Sequence, residues 1–363
     1  MSDQDRLAPP HVVFARAMSA FRPGQPAIVL SHNDADGLSA AAILARAFAR
    51  SSRGTAEVRL IGRGENPWSE AIRVELRERP VGGLIVADLG VKPDALLAGV
   101  PTVIIDHHVP ISLPDPATAT VISGYGVTPT PSSSLLAFQC AQALVESGAD
   151  DLAWLAALGL IGDFGEKRAV TDFPDVMALA RKRHTGKALR EATSLVNAPR
   201  RASAGDAAPA LALLMKAQGP ENVLSGEHPE TDALRQAREE VKQALDAARR
   251  VAPKIAGPVA LIRIQSPCQI HALVAQSWVG RLKGQVVVAA NTGYREGYVH
   301  FATRSATGQN LIAFLKERAP EGLTEEDQFA NGHEQATGGQ LTPAAWNRFV
   351  EKLGFGPEMR VTA

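Results

Sequence analysis

Four short polar clusters carry the chemistry this chain offers. The first, Ser31-His32-Asn33-Asp34-Ala35-Asp36-Gly37, sets an imidazole and two carboxylates at alternate positions. Residues two apart in extended backbone point the same way, so His32, Asp34 and Asp36 could face one point as a comb of ligands. The bland alternative is an Asx-turn with Asp36 as a helix N-cap and His32 incidental, and the motif alone favours it. The second cluster holds Asp88 in Ala87-Asp88-Leu89-Gly90, where a lone aspartate after an apolar run is most often a cap. In the third, Asp106, His107 and His108 follow Val103-Ile104-Ile105. A charged aspartate there needs a partner or a metal, the alternative being two satisfied loop histidines. The fourth is Asp163 in Gly162-Asp163-Phe164-Gly165, by itself the C-terminal turn of an apolar helix.

Together, His32, Asp34, Asp36, Asp88, His107 and Asp163 supply imidazole and carboxylate donors in a set of the right size for two ions. Two divalent ions about 3.5 to 4 Å apart require a bridging carboxylate and several nitrogen or oxygen ligands. With no thiolate among the donors, two Mn2+ ions suit the set best, with Mg2+, Co2+ or Zn2+ as the other options.

The clusters must be positioned by the apolar runs that precede them. Strands near Ala27–Leu30, Val58–Ile61, Leu84–Ala87 and Val103–Ile105, separated by helical patterns, read as βαβ units and predict a parallel sheet. Such sheets bind ligands beyond the carboxyl ends of their strands, where three of the clusters fall. From Ser132 to about Met215 the pattern is helical, and Pro229 to Arg250 reads as a charged connecting helix. A second alternation of strands and helices begins at Gly257 and includes a turn-rich stretch, Asn331 to Gln340, before a last helix. The expected architecture is α/β with two domains: an N-terminal extension over 1–25, a parallel-sheet catalytic domain over 26–228, a linker helix over 229–253 and a smaller α/β domain over 254–363.

Composition agrees with this and narrows the setting. The 363 residues suit two domains, and 45% hydrophobic with 21% charged residues is an ordinary globular balance. Lys plus Arg equal Asp plus Glu at 38 each, so any nucleic-acid site must be a local patch. Arg181, Lys182, Arg183, Arg200 and Arg201 could form one or could be a solvated face; Trp68, Trp154, Trp278 and Tyr294 could stack bases but are more often core. Cys140 and Cys268 lie in apolar stretches, which argues against a disulfide framework and for a reducing, cytoplasmic setting. No apolar run is long enough to span a bilayer and the N-terminus lacks the order of a signal peptide, so no membrane association is expected.

The order His-x-Asp-x-Asp-Gly, Ala-Asp-Leu-Gly, Ile-Asp-His-His and Gly-Asp-Phe-Gly-Glu resembles the four motifs of the DHH phosphoesterases. That superfamily includes RecJ exonucleases, nanoRNases, cyclic-dinucleotide phosphodiesterases and manganese-dependent inorganic pyrophosphatases. Thr303-Arg304-Ser305 and the stretch Asn331 to Gly339 resemble the DHH-associated second domain, so the likeness runs from Ala27 to Gly354. It implies that His32 and Asp34 hold one metal, that Asp36, His107 and Asp163 hold the other, and that Asp88 bridges both. Asp106 would orient a histidine, His108 would contact the scissile phosphate, and Arg304 would clamp a substrate phosphate with Ser305 assisting. Gly332, His333, Gly338 and Gly339 would let backbone approach that phosphate. The chain departs from the pattern at Gln309, where relatives often carry an acid, and at Asn331, where they often carry glycine.

The activity implied is two-metal hydrolysis of phosphodiester bonds in single-stranded DNA or RNA or short oligonucleotides, as in a RecJ-like exonuclease. Alternatives are a small-nucleotide phosphatase or phosphodiesterase acting on nanoRNA, a nucleoside bisphosphate or a cyclic dinucleotide, an inorganic pyrophosphatase, and a non-catalytic DHH scaffold. Retention of all six ligand positions argues against the last. The chain stops at Ala363, short of the nucleic-acid-binding barrel of longer relatives, so a weaker hold on long strands is expected. Oligomeric state is open, with a homodimer as one option.

Overall fold

Strands buried on both faces of a parallel sheet read as continuous apolar runs, and that is how the first half of the chain folds. A computed structural model describes residues 8–145, 148–324 and 327–362; residues 1–7 of the expected extension and the side chain of Asn331 lie outside the described residues. The chain divides into two units, one of residues 1–200 and 206–236 and the other of residues 201–205 and 237–363. The helix Pro229–Ala248, on the stretch expected to connect the domains, contributes to both.

In the first unit, β1 (Ala27–Ser31), β2 (Ala56–Leu60), β3 (Gly83–Ala87), β4 (Thr102–Asp106) and β5 (Ala119–Ser123) form a parallel sheet in the order β2-β1-β3-β4-β5. Successive side chains alternate between two cores. Val29, Ile85, Val103 and Ile105 pack with Leu38, Ile43, Trp154 and Leu155 on one face. Ile28, Leu30, Leu84, Val86 and Ile104 pack with Trp68, Ile72 and Leu76 on the other. The sheet order reverses direction between β1 and β3, and the crevice at such a switch point is where ligands bind in open α/β sheets.

Three helices close over the first face: Ala35–Phe48, Ser133–Ala141 and Ala153–Phe164. Every residue of Ala35–Phe48 is buried, so it behaves as a central core helix rather than an amphipathic one. Small residues allow the close approach. A Cβ on Gly162 would lie 2.8 Å from Ala35 Cβ, and one on Gly159 would overlap Asp36 and Ser134. Hydrophobic periodicity did not mark β5 or the helix Pro10–Met18, whose Val13, Phe14 and Met18 are nonetheless core. Both are short and end within a turn or two, leaving little period to detect.

The second unit has β6 (Lys254–Ala256), β7 (Val259–Ile264), β8 (Val286–Arg295), β9 (Tyr298–Ser305), β10 (Gln328–His333) and β11 (Ala336–Leu341), ordered β10-β11-β9-β8-β7-β6. Only the β7–β8 pair among these is parallel. The stretch expected to be turn-rich is a hairpin instead: Gly332 and His333 pair with Thr337 and Ala336 across a two-residue connection. Glycine and polar content suggested turns, but pairing of β11 against β9 supplies the context that local propensity lacks. Trp346 and Phe349 of the helix Pro343–Lys352 fill its core with Phe301, Val288 and Leu261.

Candidate metal centre

Local geometry at the end of β1 folds the first cluster back over the sheet. Ser31 Oγ donates to Gly37 O at 2.8 Å. Asp34, rather than Asp36, caps the helix, its Oδ1 accepting from Gly37 N at 3.1 Å. Gly37 is required here because a Cβ would lie 2.7 Å from the His32 carbonyl carbon. Asp36 lies inside the first turn and is 1% exposed. Its oxygens accept from Ser133 N at 2.7 Å and Ser134 N at 3.0 Å. The opening N–H groups of a helix have no intrahelical acceptor, so the helix Ser133–Ala141 spends them on this carboxylate.

Asp88 follows β3 with φ 62, the left-handed region that non-glycine residues seldom occupy. Its Oδ1 accepts from Ser133 Oγ at 3.0 Å. Asp106, the last residue of β4 and fully buried, accepts from Gly90 N at 2.7 Å and His108 N at 2.8 Å. Its Oδ1 lies 3.2 Å from His108 Nδ1, so the histidine it orients is His108. Asp163 reaches the same place from the last turn of Ala153–Phe164.

The donor atoms converge. His32 Nδ1 is 3.1 Å from Asp34 Oδ2 and 3.4 Å from Asp88 Oδ2. His107 Nε2 is 3.3 Å from Asp163 Oδ2 and 3.6 Å from Asp88 Oδ1. Three groups result, each with its ligand atoms within 4.8 Å of one another: His32, Asp34 and Asp88; Asp36, His107 and Asp163; and Asp88, His107 and His108. Asp88 and His107 each belong to two of them.

So many buried carboxylates disturb one another. Burial, then Asp36, Asp34 and Asp88, push Asp163 well above the ordinary carboxylate range. Burial and the neighbouring Asp88 raise Asp36 to about 6 despite hydrogen bonds that favour its anion. Burial opposes the His32 charge, but Asp34 and Asp88 overcome it and lift the imidazole to about 10. His108 rises against its own burial to about 9, chiefly through Asp106. Carboxyls that keep their protons because neighbouring anions oppose their ionisation are what bound cations would relieve. The imidazole and carboxylate donors, with one carboxylate shared between groups, fit a pair of divalent ions.

Motif reading missed the residues that hold these ligands. Ser133 and Ser134 support Asp88 and Asp36, and Asn197 Oδ1 accepts from Ala35 N at 3.0 Å. Arg200 lies 3.7 Å from Asp34 and so sits beside the candidate donor groups rather than on an open basic face. The serine run before an apolar helix was the visible signal, an N-terminal cap cluster. Trp154 and Tyr294 are core, and Trp68 donates from Nε1 to Leu89 O at 3.1 Å, leaving them unsuited to stacking bases.

The other candidates lie in the second unit. Arg304 at the end of β9 donates to Thr303 O at 2.9 Å, and its burial disfavours the charge. No carboxylate partners it among the described residues. Ser305 Oγ donates to Gln285 O at 3.2 Å, and His333 is exposed. Gly332 has φ 117. A Cβ on Gly338 would overlap Phe301 O and one on Gly339 would overlap Gln328 O, so strand packing by itself requires both glycines.

The fold is that of the DHH phosphoesterases. Among solved structures the chain is similar to RecJ from Thermus thermophilus in complex with Mn2+, at 19% identity over 95% of this chain and 54% of that one, with a TM-score of 0.70. It therefore spans about half the length of that RecJ. It is similar to an exonuclease RecJ bound to manganese, at 19% identity over 96% of this chain and 94% of that one, with a TM-score of 0.66. The DHH domain of a member of the s1p family of ribosomal proteins follows the same fold at 13% identity, covering 95% and 88%, with a TM-score of 0.63. No protein-family model and no curated protein sequence matches the chain.

Proposed function

We propose that this chain is a two-metal phosphoesterase that hydrolyses phosphodiester bonds in single-stranded nucleic acid or short oligonucleotides. The observation that carries the reading is the convergence of two donor groups, His32, Asp34 and Asp88 in one and Asp36, His107 and Asp163 in the other, with Asp88 Oδ1 3.6 Å from His107 Nε2. His32 and Asp34 would hold one cation, Asp36, His107 and Asp163 the other, with Asp88 between them. When bound, two such ions, Mn2+ by preference, supply a water activated at neutral pH and offset charge on phosphoryl oxygens.

The protein's own part is to orient and to neutralise. Ser133 holds the Asp88 carboxylate, and the Ser133 and Ser134 amides hold Asp36, so the ligands are preset before substrate arrives. Asp106 fixes the His108 ring through Nδ1. The side chain of His108 is 35% exposed against 5% for His107, so of this adjacent pair it is His108 that a substrate phosphate can reach. In the second unit Arg304, a half-buried cation with no carboxylate partner among the described residues, has the character of a phosphate clamp. Ser305 and the hairpin at Gly332 and His333 would join it. Cys140 and Cys268 are buried thiols, which suits a reducing cytoplasm. No helix among the described residues is long and apolar enough to cross a membrane.

Mn2+-dependent digestion of end-labelled DNA and RNA, graded from dinucleotide upward, tests the proposal. Release of mononucleotides supports it, and the length preference separates an exonuclease from an enzyme of short oligonucleotides. Faster turnover of pyrophosphate than of every oligonucleotide, or no turnover of any, would overturn it.

A further inference from the structure

Next to Asp163 in the chain lies a shallow, open surface depression that none of the expected site residues line, with Phe164, Lys167, Arg168, Thr171 and Asp172 around it. Phe164 directly follows Asp163, and its half-buried ring meets His107 edge-on, with centroids 6.1 Å apart. One side of the ring stacks on Phe173 at 5.9 Å. The Arg168 guanidinium lies over the ring 5.0 Å from its centroid. Asp172 pins the guanidinium through Nε at 2.9 Å.

We propose that Arg168, backed by Phe164 and pinned by Asp172, is a stacking platform for a nucleobase flanking the scissile phosphate. This rests on the hydrolytic reading above and names how the substrate is held. The Phe164 ring packs against the core of the first unit and on Phe173, which holds it fixed beneath the guanidinium, while the Arg168–Asp172 pair by itself contributes little stability. Guanidinium planes laid on aromatic rings are, by contrast, a recurrent surface for unstacked bases.

Charge around the depression favours the same ligand. Glu166 is tied to Arg181 at 2.8 Å and Arg190 at 2.6 Å, and Asp172 to Arg168, so both acids are already neutralised. Lys167 remains exposed at the rim, where a nucleotide phosphate would pass. Because every base has a π-face, the platform predicts tolerance of base identity.

Binding of a product-like probe tests this without turnover. 2-Aminopurine riboside 5′-monophosphate is titrated into the Mg2+-loaded protein by its fluorescence, with ribose 5-phosphate as the base-less competitor. Quenching and an affinity about tenfold above that of ribose 5-phosphate are expected, the size of one base–aromatic stack. Arg168→Lys, which keeps the charge and loses the plane, should remove both, as should Phe164→Leu. Equal affinity of the two ligands for the wild type, or full quenching by Arg168→Lys, would overturn the proposal. Absence of hydrolysis in the dinucleotide assay bears instead on the hydrolytic reading, and the quenching result stands apart from it.

Discussion

Asp88 combines backbone strain with a place in two candidate donor groups. Holding a non-glycine residue at φ 62 costs about 1 to 3 kcal/mol and persists only where the surroundings fix it. Here β3 before it, Gly90 after it and the Ser133 hydroxyl do so. Asp88→Ala should abolish Mn2+-dependent hydrolysis while leaving the far-ultraviolet circular dichroism near wild type; full activity in that variant would reject the metal assignment. Ser133→Ala should act through the ligand it supports. A lost hydrogen bond behind a metal ligand typically costs 10- to 100-fold in affinity, so calorimetric Mn2+ titration should show a drop of about that size.

At the scale of elements, close helix contact is what places Asp36. Alanine favours helices by about 1 kcal/mol over glycine, yet at position 159 its Cβ would overlap both Asp36 and Ser134. Overpacking of that kind costs about 1 to 3 kcal/mol, so Gly159→Ala should lower the melting temperature and weaken Mn2+ binding together. An unchanged melting temperature would show that the helices can part at no cost. In the second unit, Asp327 ties the hairpin to the last helix, accepting from Thr324 N at 2.9 Å and Thr342 N at 2.7 Å. Burial works to raise its pKa, but these hydrogen bonds prevail and hold it below the ordinary value of 3.8. Its folded pKa being the lower one, its contribution is present above the unfolded value and is lost as pH falls through the folded one. The melting-temperature gap between wild type and Asp327→Asn should therefore be widest near neutrality and close below about pH 4.

For the whole molecule, a cation bound only by the folded state should report the state of the first unit. At about 100 times the dissociation constant, such binding adds about 2.7 kcal/mol. In a unit of this size that is a rise of about 5 to 10 °C in melting temperature with Mn2+, reversed by chelation and absent in Asp88→Ala. No shift in the wild type would count against a preset site. Much of this molecule was legible in its sequence, because consecutive apolar runs ending in polar clusters specify a parallel sheet and the edge where ligands gather. Residue types alone also nominated His32, Asp34, Asp36, Asp88, His107 and Asp163 as a ligand set. The sequence could not tell a cap from a ligand, and its alternative reading of the first cluster put the helix cap at Asp36 where the fold uses Asp34. It was silent on Ser133, offered Arg200 as part of a basic patch or solvated face rather than a neighbour of Asp34, and read the β10–β11 hairpin as turns. Those depend on partners roughly 45 to 165 residues distant along the chain, or on strand pairing, and periodicity carries information only about near neighbours. Tertiary packing alone brings such groups within hydrogen-bonding distance.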